Sequence, residues 1–314
     1  MTTIKDLPEE DWFESGHTAC PGCGGAMVVR VAMKVLGPNT VVYMPASCLL
    51  IFSDMYPLNA FKVPTLQVLF ETSAICASGI KRALKRLGKD DVTVVAFAGD
   101  GGTADIGLQS LSGAAERNED ILYICYDNEA YMNTGIQRSG TTPFGAWTTT
   151  TPLGESEEGR GKLEPKKDIP RIMMAHDVPY VATASLGFPA DLVNKLEKAK
   201  NKKGFRYLHV LAPCPVGWRM ESDKTVELAK MAVEAGLFTL FEFEDGVMRI
   251  NREPRFSPVR DYLKAQGRFR HLADEQVAAI ESWVRQKWER DRAMAKALGP
   301  KAPPTVAVET LQEK

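Results

Sequence analysis

Two apolar runs set the frame of the chain. "DVTVVAFAGD" (Asp91–Asp100) and "ILYICYDN" (Ile121–Asn128) are short, rich in β-branched and aromatic residues, and end in turn formers. Unbroken runs of this kind are the pattern of strands covered on both faces. Between them, "TADIGLQSLSGAAERN" carries Ile106, Leu108, Leu111 and Ala115 at near-helical spacing, which predicts a helix packed on a sheet. Strand, helix and strand at this length make a βαβ unit, and hence a parallel sheet.

The alternation continues on both sides. "AMVVRVAMKVLG" predicts a helix stopped by Gly37, "TVVYMPASC" a strand running into Cys48, and "SAICASGIKRALKRLG" a second helix stopped by glycine. Later, "DLVNKLEKAKNKK" predicts a helix and "FRYLHVLAPC" a strand. The sum is a doubly wound, mostly parallel α/β sheet with helices on both faces. After Cys214 come a helix ("KTVELAKMAVEAG"), a hairpin turning at Asp245-Gly246, and a charged helix over Glu275–Leu298. The expected organisation is an N-terminal arm (1–15), an α/β domain (16–220), a small helix–hairpin–helix extension (221–300) and a tail (301–314). Thr141–Lys167 is irregular and long for a loop, which marks it as functional or partner-binding.

Composition narrows the class. The chain has 314 residues, enough for a substantial core, with 44% hydrophobic and 25% charged residues, as in soluble globular proteins. Its 39 basic and 40 acidic residues leave no net field that would select nucleic acid or an anionic membrane. No apolar run is long enough to span a bilayer. The N-terminus, "MTTIKDLPEEDWFESG", is acidic and lacks the apolar stretch of a signal peptide. The expected location is the cytoplasm, where thiols stay reduced and structural disulfides are rare.

The candidate chemistry lies at strand ends. "AGDGG" (Ala98–Gly102) closes the first run and opens the following helix. Glycines let the backbone approach a diphosphate, and a helix N-terminus favours its charge. Asp100 is a hard oxygen ligand suited to Mg²⁺. The next strand ends in Asp127-Asn128 at the same sheet edge, so Asn128 can add a second oxygen and a nearby carbonyl a third. Alone, Asp-Gly after a strand is ordinary turn chemistry; the paired strand end argues against a plain turn.

Six cysteines add a second pattern. Cys125 in a strand and Cys76 in a helix read as core residues. Cys20 and Cys23 in "CPGC", Cys48 at a strand end and Cys214 in "LAPCPVG" remain. Four thiolates at one sheet edge suit Zn²⁺ or a [4Fe–4S] cluster, and spacing alone does not separate the two, although a second Cys-x-x-Cys pair typical of zinc is absent. A redox dithiol would leave Cys48 and Cys214 unexplained. His17, His176, His209 and His271 read as structural, since the sequence identifies no partner for any of them.

Gly99-Asp100-Gly101 with Asn128 resembles the thiamine-diphosphate fingerprint. "YDNEAYMNTGIQRSGTTPFGAWTTTTP" (Tyr126–Pro152) resembles the β subunit of pyruvate:ferredoxin oxidoreductase and its relatives. The resemblance implies that Gly99, Asp100, Gly101 and Gly102 bind the cofactor, with Asp100, Asn128 and the Ala130 carbonyl as Mg²⁺ ligands. It implies polar pocket roles for Asn133 and Thr134, and an apolar contact under the cofactor for Ile51. The general motif often has Asn where this chain has Asp127. Cys20, Cys23, Cys48 and Cys214 match the ligands of the family's [4Fe–4S] cluster nearest to thiamine. The implied activity is oxidative decarboxylation of a small 2-oxo acid, pyruvate (with coenzyme A) or oxalate, with electrons passed to ferredoxin. The implied partners are α, γ and ferredoxin-like δ subunits or domains, because this chain offers no assignable glutamate to activate thiamine and no ferredoxin-type cysteine run. The alternatives are a non-redox thiamine enzyme with a structural zinc site, and a zinc-stabilised binding module.

Overall fold

A computed structural model describes residues 3–153 and 161–300. The tail 301–314 and loop residues 154–160 lie outside the described residues. The strands are β1 (Thr40–Pro45), β2 (Thr65–Val68), β3 (Thr93–Gly99), β4 (Leu122–Asp127), β5 (Tyr180–Ser185), β6 (Arg206–Leu211), β7 (Phe241–Glu244) and β8 (Val247–Ile250). They form one sheet in the order β2-β1-β3-β4-β6-β5-β7-β8. The first six run parallel; β7 lies antiparallel on β5, and β8 on β7. This is the α/β fold that the hydrophobic pattern predicts.

The two-residue repeat of the strands divides the core. Val95, Phe97, Leu122 and Ile124 face a layer that holds α1 (Gly24–Leu36) and α6 (Pro189–Asn201). Val94, Ala96, Tyr123 and Cys125 face the other, with α3 (Ser73–Arg86), α4 (Leu108–Glu116) and α5 (Ile169–Met174). A third cluster, centred on Trp218, Tyr262, Val284 and Trp288, joins α7 (Pro215–Trp218), α8 (Thr225–Glu234), α9 (Val259–Lys264) and α10 (Asp274–Ala297). No described helix is long and apolar enough to cross a membrane.

Local departures from the sequence pattern have local causes. The strand predicted to run into Cys48 stops at Pro45, and Cys48 opens α2 (Cys48–Ser53), because the Ser47 hydroxyl caps it by accepting from Leu50 N. The helix after β3 opens as a π turn over Gly102–Ile106 before α4. The hairpin turns at Asp245-Gly246 as expected, both residues left-handed (φ 49° and 83°). Its strands extend the main sheet beyond β5.

Candidate functional site

Four neighbouring strands, β1, β3, β4 and β6, deliver their C-terminal ends to one edge of the sheet. Cys48, Asp100, Asn128 and Cys214 follow those ends in turn. This is the crevice where open α/β sheets bind ligands. A cavity of about 250 Å³ opens there, lined by Cys48, Ile51, Gly99, Asp100, Gly101, Gly102, Asn128, Ala130, Asn133 and Thr134, together with Phe70, Tyr126 and Tyr131. Gly101 is required by close approach: a Cβ there would stand 2.4 Å from the Tyr131 ring.

The cation corner of this cavity is built around Asp100, which is 1% exposed. Its Oδ2 accepts from Ser139 Oγ (2.6 Å) and Thr141 Oγ1 (2.8 Å). That leaves Oδ1, which lies 2.8 Å from the Asn128 side-chain amide; the Ala130 carbonyl oxygen is also 2.8 Å from that amide. With its NH₂ inward, the amide donates to both neighbours. With its oxygen inward, the amide oxygen stands from each neighbour at the spacing of adjacent ligands on octahedral Mg²⁺, about 2.9 Å for Mg–O bonds of about 2.05 Å. The donor set therefore fits a small hard cation. Burial, reinforced by the charge of Asp127, pushes the Asp100 carboxyl up to about 8 against the pull of its hydroxyl donors. A divalent cation at Oδ1 would reverse that penalty.

Behind this corner Asp127 anchors a buried charge network. Thr141 Oγ1 is also 2.9 Å from Asp127 Oδ1, so one hydroxyl hydrogen serves two carboxylates. Lys166 Nζ donates to Asp127 Oδ2 at 2.5 Å, and His209 Nε2 is 2.8 Å from the same oxygen. Tyr207 OH lies 2.7 Å from the other ring nitrogen of His209. Burial would raise the Asp127 carboxyl, but Lys166 and His209 outweigh it and hold the group well below the usual range. The structure thus gives His209 a carboxylate partner that the sequence did not identify.

The thiols form a second corner of the same edge. The N-terminus of α1 docks on the Cys214 loop through Gly24 N–H to the Pro213 carbonyl (3.2 Å). A Cβ on Gly24 would stand 2.6 Å from that oxygen, which accounts for a glycine directly after Cys23. Burial pushes the Cys48 thiol up to about 12, with further repulsion from Cys214 and Cys23. Burial likewise pushes Cys214 up to about 11, with Cys23 and Cys20 adding repulsion, and raises Cys23. The four candidate cysteines therefore lie within one another's electrostatic reach. Among the described residues, no three His, Cys, Asp or Glu side chains converge closely enough to hold a single metal ion. Tyr126 stands between the corners: its ring lies against Gly25 and Gly99, and its hydroxyl accepts from Leu49 N at 3.3 Å.

The family described as "Thiamine pyrophosphate enzyme, C-terminal TPP binding domain" matches residues 49–210. Pyruvate synthase subunit PorB of Methanothermobacter thermautotrophicus is 54% identical over 279 residues, covering 88% of this chain and 96% of that protein. Ketoisovalerate oxidoreductase subunit VorB of Pyrococcus abyssi is 46% identical over 305 residues, covering 93% and 96%. This chain belongs to the 2-oxoacid:ferredoxin oxidoreductase family, as its thiamine-pyrophosphate-domain subunit. A solved 2-oxoglutarate:ferredoxin oxidoreductase from Magnetococcus marinus shares the fold at a TM-score of 0.55 and 21% identity, covering 73% of this chain and 84% of that one.

The structure gathers the residues expected of such a subunit, though not equally. Gly99–Gly102, Asn128 and Ala130 line the inner wall, whereas Asn133 and Thr134 are exposed on its rim and Ile51 is 38% exposed beside it. Thr134 Oγ1 is already committed to Gln137 Oε1 at 2.5 Å. Cys48 reaches the cavity wall, while Cys20, Cys23 and Cys214 lie outside its lining. Sequence reasoning missed Ser139, Thr141 and Lys166, which sit in an irregular stretch with no periodicity to expose them. It also missed Trp218, whose indole N–H donates to the Asn128 carbonyl at 2.8 Å; its place four residues after Cys214 was the available signal.

Proposed function

We propose that this subunit binds Mg²⁺–thiamine diphosphate in the cavity and a [4Fe–4S] cluster at the thiol corner. It would thereby serve the oxidative decarboxylation of a small 2-oxo acid, with electrons leaving to ferredoxin. The overall balance with coenzyme A is 2-oxo acid anion plus thiol giving acyl thioester, CO₂, one proton and two electrons. The observation that carries the reading is the convergence of Asp100 Oδ1, the Asn128 amide and the Ala130 carbonyl on the wall of a glycine-lined cavity.

When bound, thiamine diphosphate supplies the electron sink for the charge left by CO₂ loss, and a neighbouring cluster supplies one-electron acceptance. The chain's own residues do the rest. Asp100, Asn128 and the Ala130 carbonyl hold the cation, and Ser139 and Thr141 fix the rotation of Asp100. Gly99, Gly101 and Gly102 let the backbone approach the diphosphate. Ile51 offers an apolar contact to the cofactor, and Asn133 and Thr134 offer polar ones at the rim. Cys20, Cys23, Cys48 and Cys214 would hold the cluster; the partly buried, mutually repelling thiols of Cys23, Cys48 and Cys214 suit a multiply positive centre that keeps them as thiolates, with Cys20 exposed at their edge. Both groups fall within residues 16–220, and α, γ and ferredoxin-like δ partners complete the enzyme in the cytoplasm.

Pyruvate stands first as substrate, because the PorB relative has the higher identity; a branched 2-oxo acid follows from the VorB relative. Oxalate would give CO₂ alone, without coenzyme A. The test uses protein purified anaerobically with its partner subunits. Iron, sulfide, zinc and thiamine are assayed, and EPR spectra are taken after each 2-oxo acid, with Cys214→Ala as control. Iron with equal sulfide, short by one [4Fe–4S] cluster in the variant, and a substrate-dependent radical or reduced-cluster signal are expected. Zinc lost in the variant with iron and sulfide unchanged overturns the redox assignment in favour of a non-redox thiamine enzyme with structural zinc.

A further inference from the structure

The turn that carries Asn128 and Ala130 is gripped from outside the segment that matches the thiamine pyrophosphate domain. Glu129, between the two, has a left-handed backbone (φ 69°), uncommon for a residue other than glycine. Such a conformation persists only where its surroundings hold it. The buried Glu129 carboxylate accepts from Arg268 Nη2 at 2.5 Å and from Lys166 Nζ at 2.8 Å. Trp218, fully buried, donates its indole N–H to the Asn128 carbonyl at 2.8 Å. The Arg268 guanidinium lies 3.9 Å from the centre of the Trp218 ring, and its Nε donates to Gln266 Oε1 at 3.0 Å. Trp218 and Arg268 both lie beyond residue 210, where the domain match ends, and neither lines the cofactor cavity.

We propose that Trp218 and Arg268 are positioning residues for the cation, acting through the backbone of residues 128–130. A carbonyl ligand has no side-chain torsion of its own; it points where the chain points it. Trp218 turns the Asn128 carbonyl away from the cavity, and Arg268 holds Glu129 in its unusual conformation. Together they leave the Asn128 amide and the Ala130 carbonyl facing Asp100. The part of the chain beyond the thiamine pyrophosphate domain thus belongs to the cation machinery. The inference rests on reading that corner as a Mg²⁺–diphosphate site.

The experiment measures thiamine diphosphate binding to the assembled enzyme by calorimetry across a Mg²⁺ series. Wild type is compared with Trp218→Phe, Arg268→Met and the double variant Glu129→Gln/Arg268→Met, with thermal midpoints recorded alongside. Trp218→Phe keeps the ring under Arg268 but loses the N–H. It should raise the half-saturating Mg²⁺ concentration about threefold to tenfold, the worth of one hydrogen bond. Arg268→Met should raise it about tenfold or more, the worth of a charged one. The double variant removes both buried charges, so its thermal midpoint should recover while its Mg²⁺ requirement stays high. Recovery of the Mg²⁺ requirement in the double variant overturns the proposal, since Arg268 would then only balance charge. Wild-type behaviour of Trp218→Phe and Arg268→Met overturns it as well. If Arg268→Met fails to assemble, Trp218→Phe and the double variant decide. A wild-type enzyme that takes up no thiamine diphosphate at any Mg²⁺ concentration overturns the underlying reading itself.

Discussion

The two corners of the sheet edge hold their donors by opposite means. At the cation corner the protein supplies the order: two hydroxyls fix Asp100, an indole and a guanidinium fix the turn after Asn128, and an ammonium neutralises Asp127. At the thiol corner the Cys214 sulfur accepts one backbone N–H, from Gly217. There, burial and mutual charge push Cys23, Cys48 and Cys214 toward protonation. On the proposed reading, the first corner is built before an ion arrives, and the second would be completed by the cluster that binds it. Preorganisation suits an ion exchanged with solvent, whereas ligand-made order suits a group inserted once.

The sharpest attack on this contrast is Asp100→Ala. It removes the charged ligand from the proposed cation site, and thiamine diphosphate affinity should fall on the order of a hundredfold or more. Iron content, measured on the same preparation, should stay at the wild-type level; its loss would mean that the corners are one unit. Next in size, anaerobic removal of iron with a chelator should lower the thermal midpoint by about 5–10 °C. Hydrogen exchange should then quicken over residues 20–25 and 212–217 while residues 127–130 and 139–142 keep their protection. Uniform loss of protection would erase the distinction.

A smaller effect is expected from Thr141→Val, which keeps the shape and deletes the hydroxyl shared by Asp100 and Asp127. The Mg²⁺ requirement should rise about tenfold and stability fall by about 1–3 kcal/mol, read by calorimetry and urea unfolding. The smallest concerns Lys162, which is 1% exposed and donates to the Thr142 and Pro165 carbonyls. Burial lowers its ammonium from 10.5 to about 8. Between those values the unfolded chain holds a proton that the folded chain has released, so stability rises with pH across that window, by on the order of 2 kcal/mol. Urea unfolding of Lys162→Met should show that part of the slope gone; an unchanged slope would assign it to other groups.

Much of this was legible in the sequence, for a physical reason. Strands buried on both faces spell themselves as continuous apolar runs, so β3, β4 and β6 could be read directly, and the residues at their ends followed from topology. β2 could not: it is four residues long, with Leu66 and Gln67 exposed. Nor could β5, where Ala182 and Ala184 dilute the apolar signal. The partner of His209 was hidden because it depends on the register of β6 against β4, which pairs Cys125 with His209 and brings the ring within reach of Asp127. Ser139, Thr141 and Lys166 were hidden because an irregular segment folds back without leaving a period. The left-handed Glu129 leaves no sequence trace, since nothing in its side chain announces that backbone.

The docking of Gly24 on the Pro213 carbonyl sets an order of events for the newborn chain. Cys20 and Cys23 leave the ribosome early, but the surface that receives them is made by the segment after β6, most of the chain later. A parallel sheet closes through long-range contacts, and their loop entropy must be met before they return any stability. The thiol corner therefore has no existence until the segment after β6 has been made, and the proposed metal centre could be installed only in a sheet that already stands.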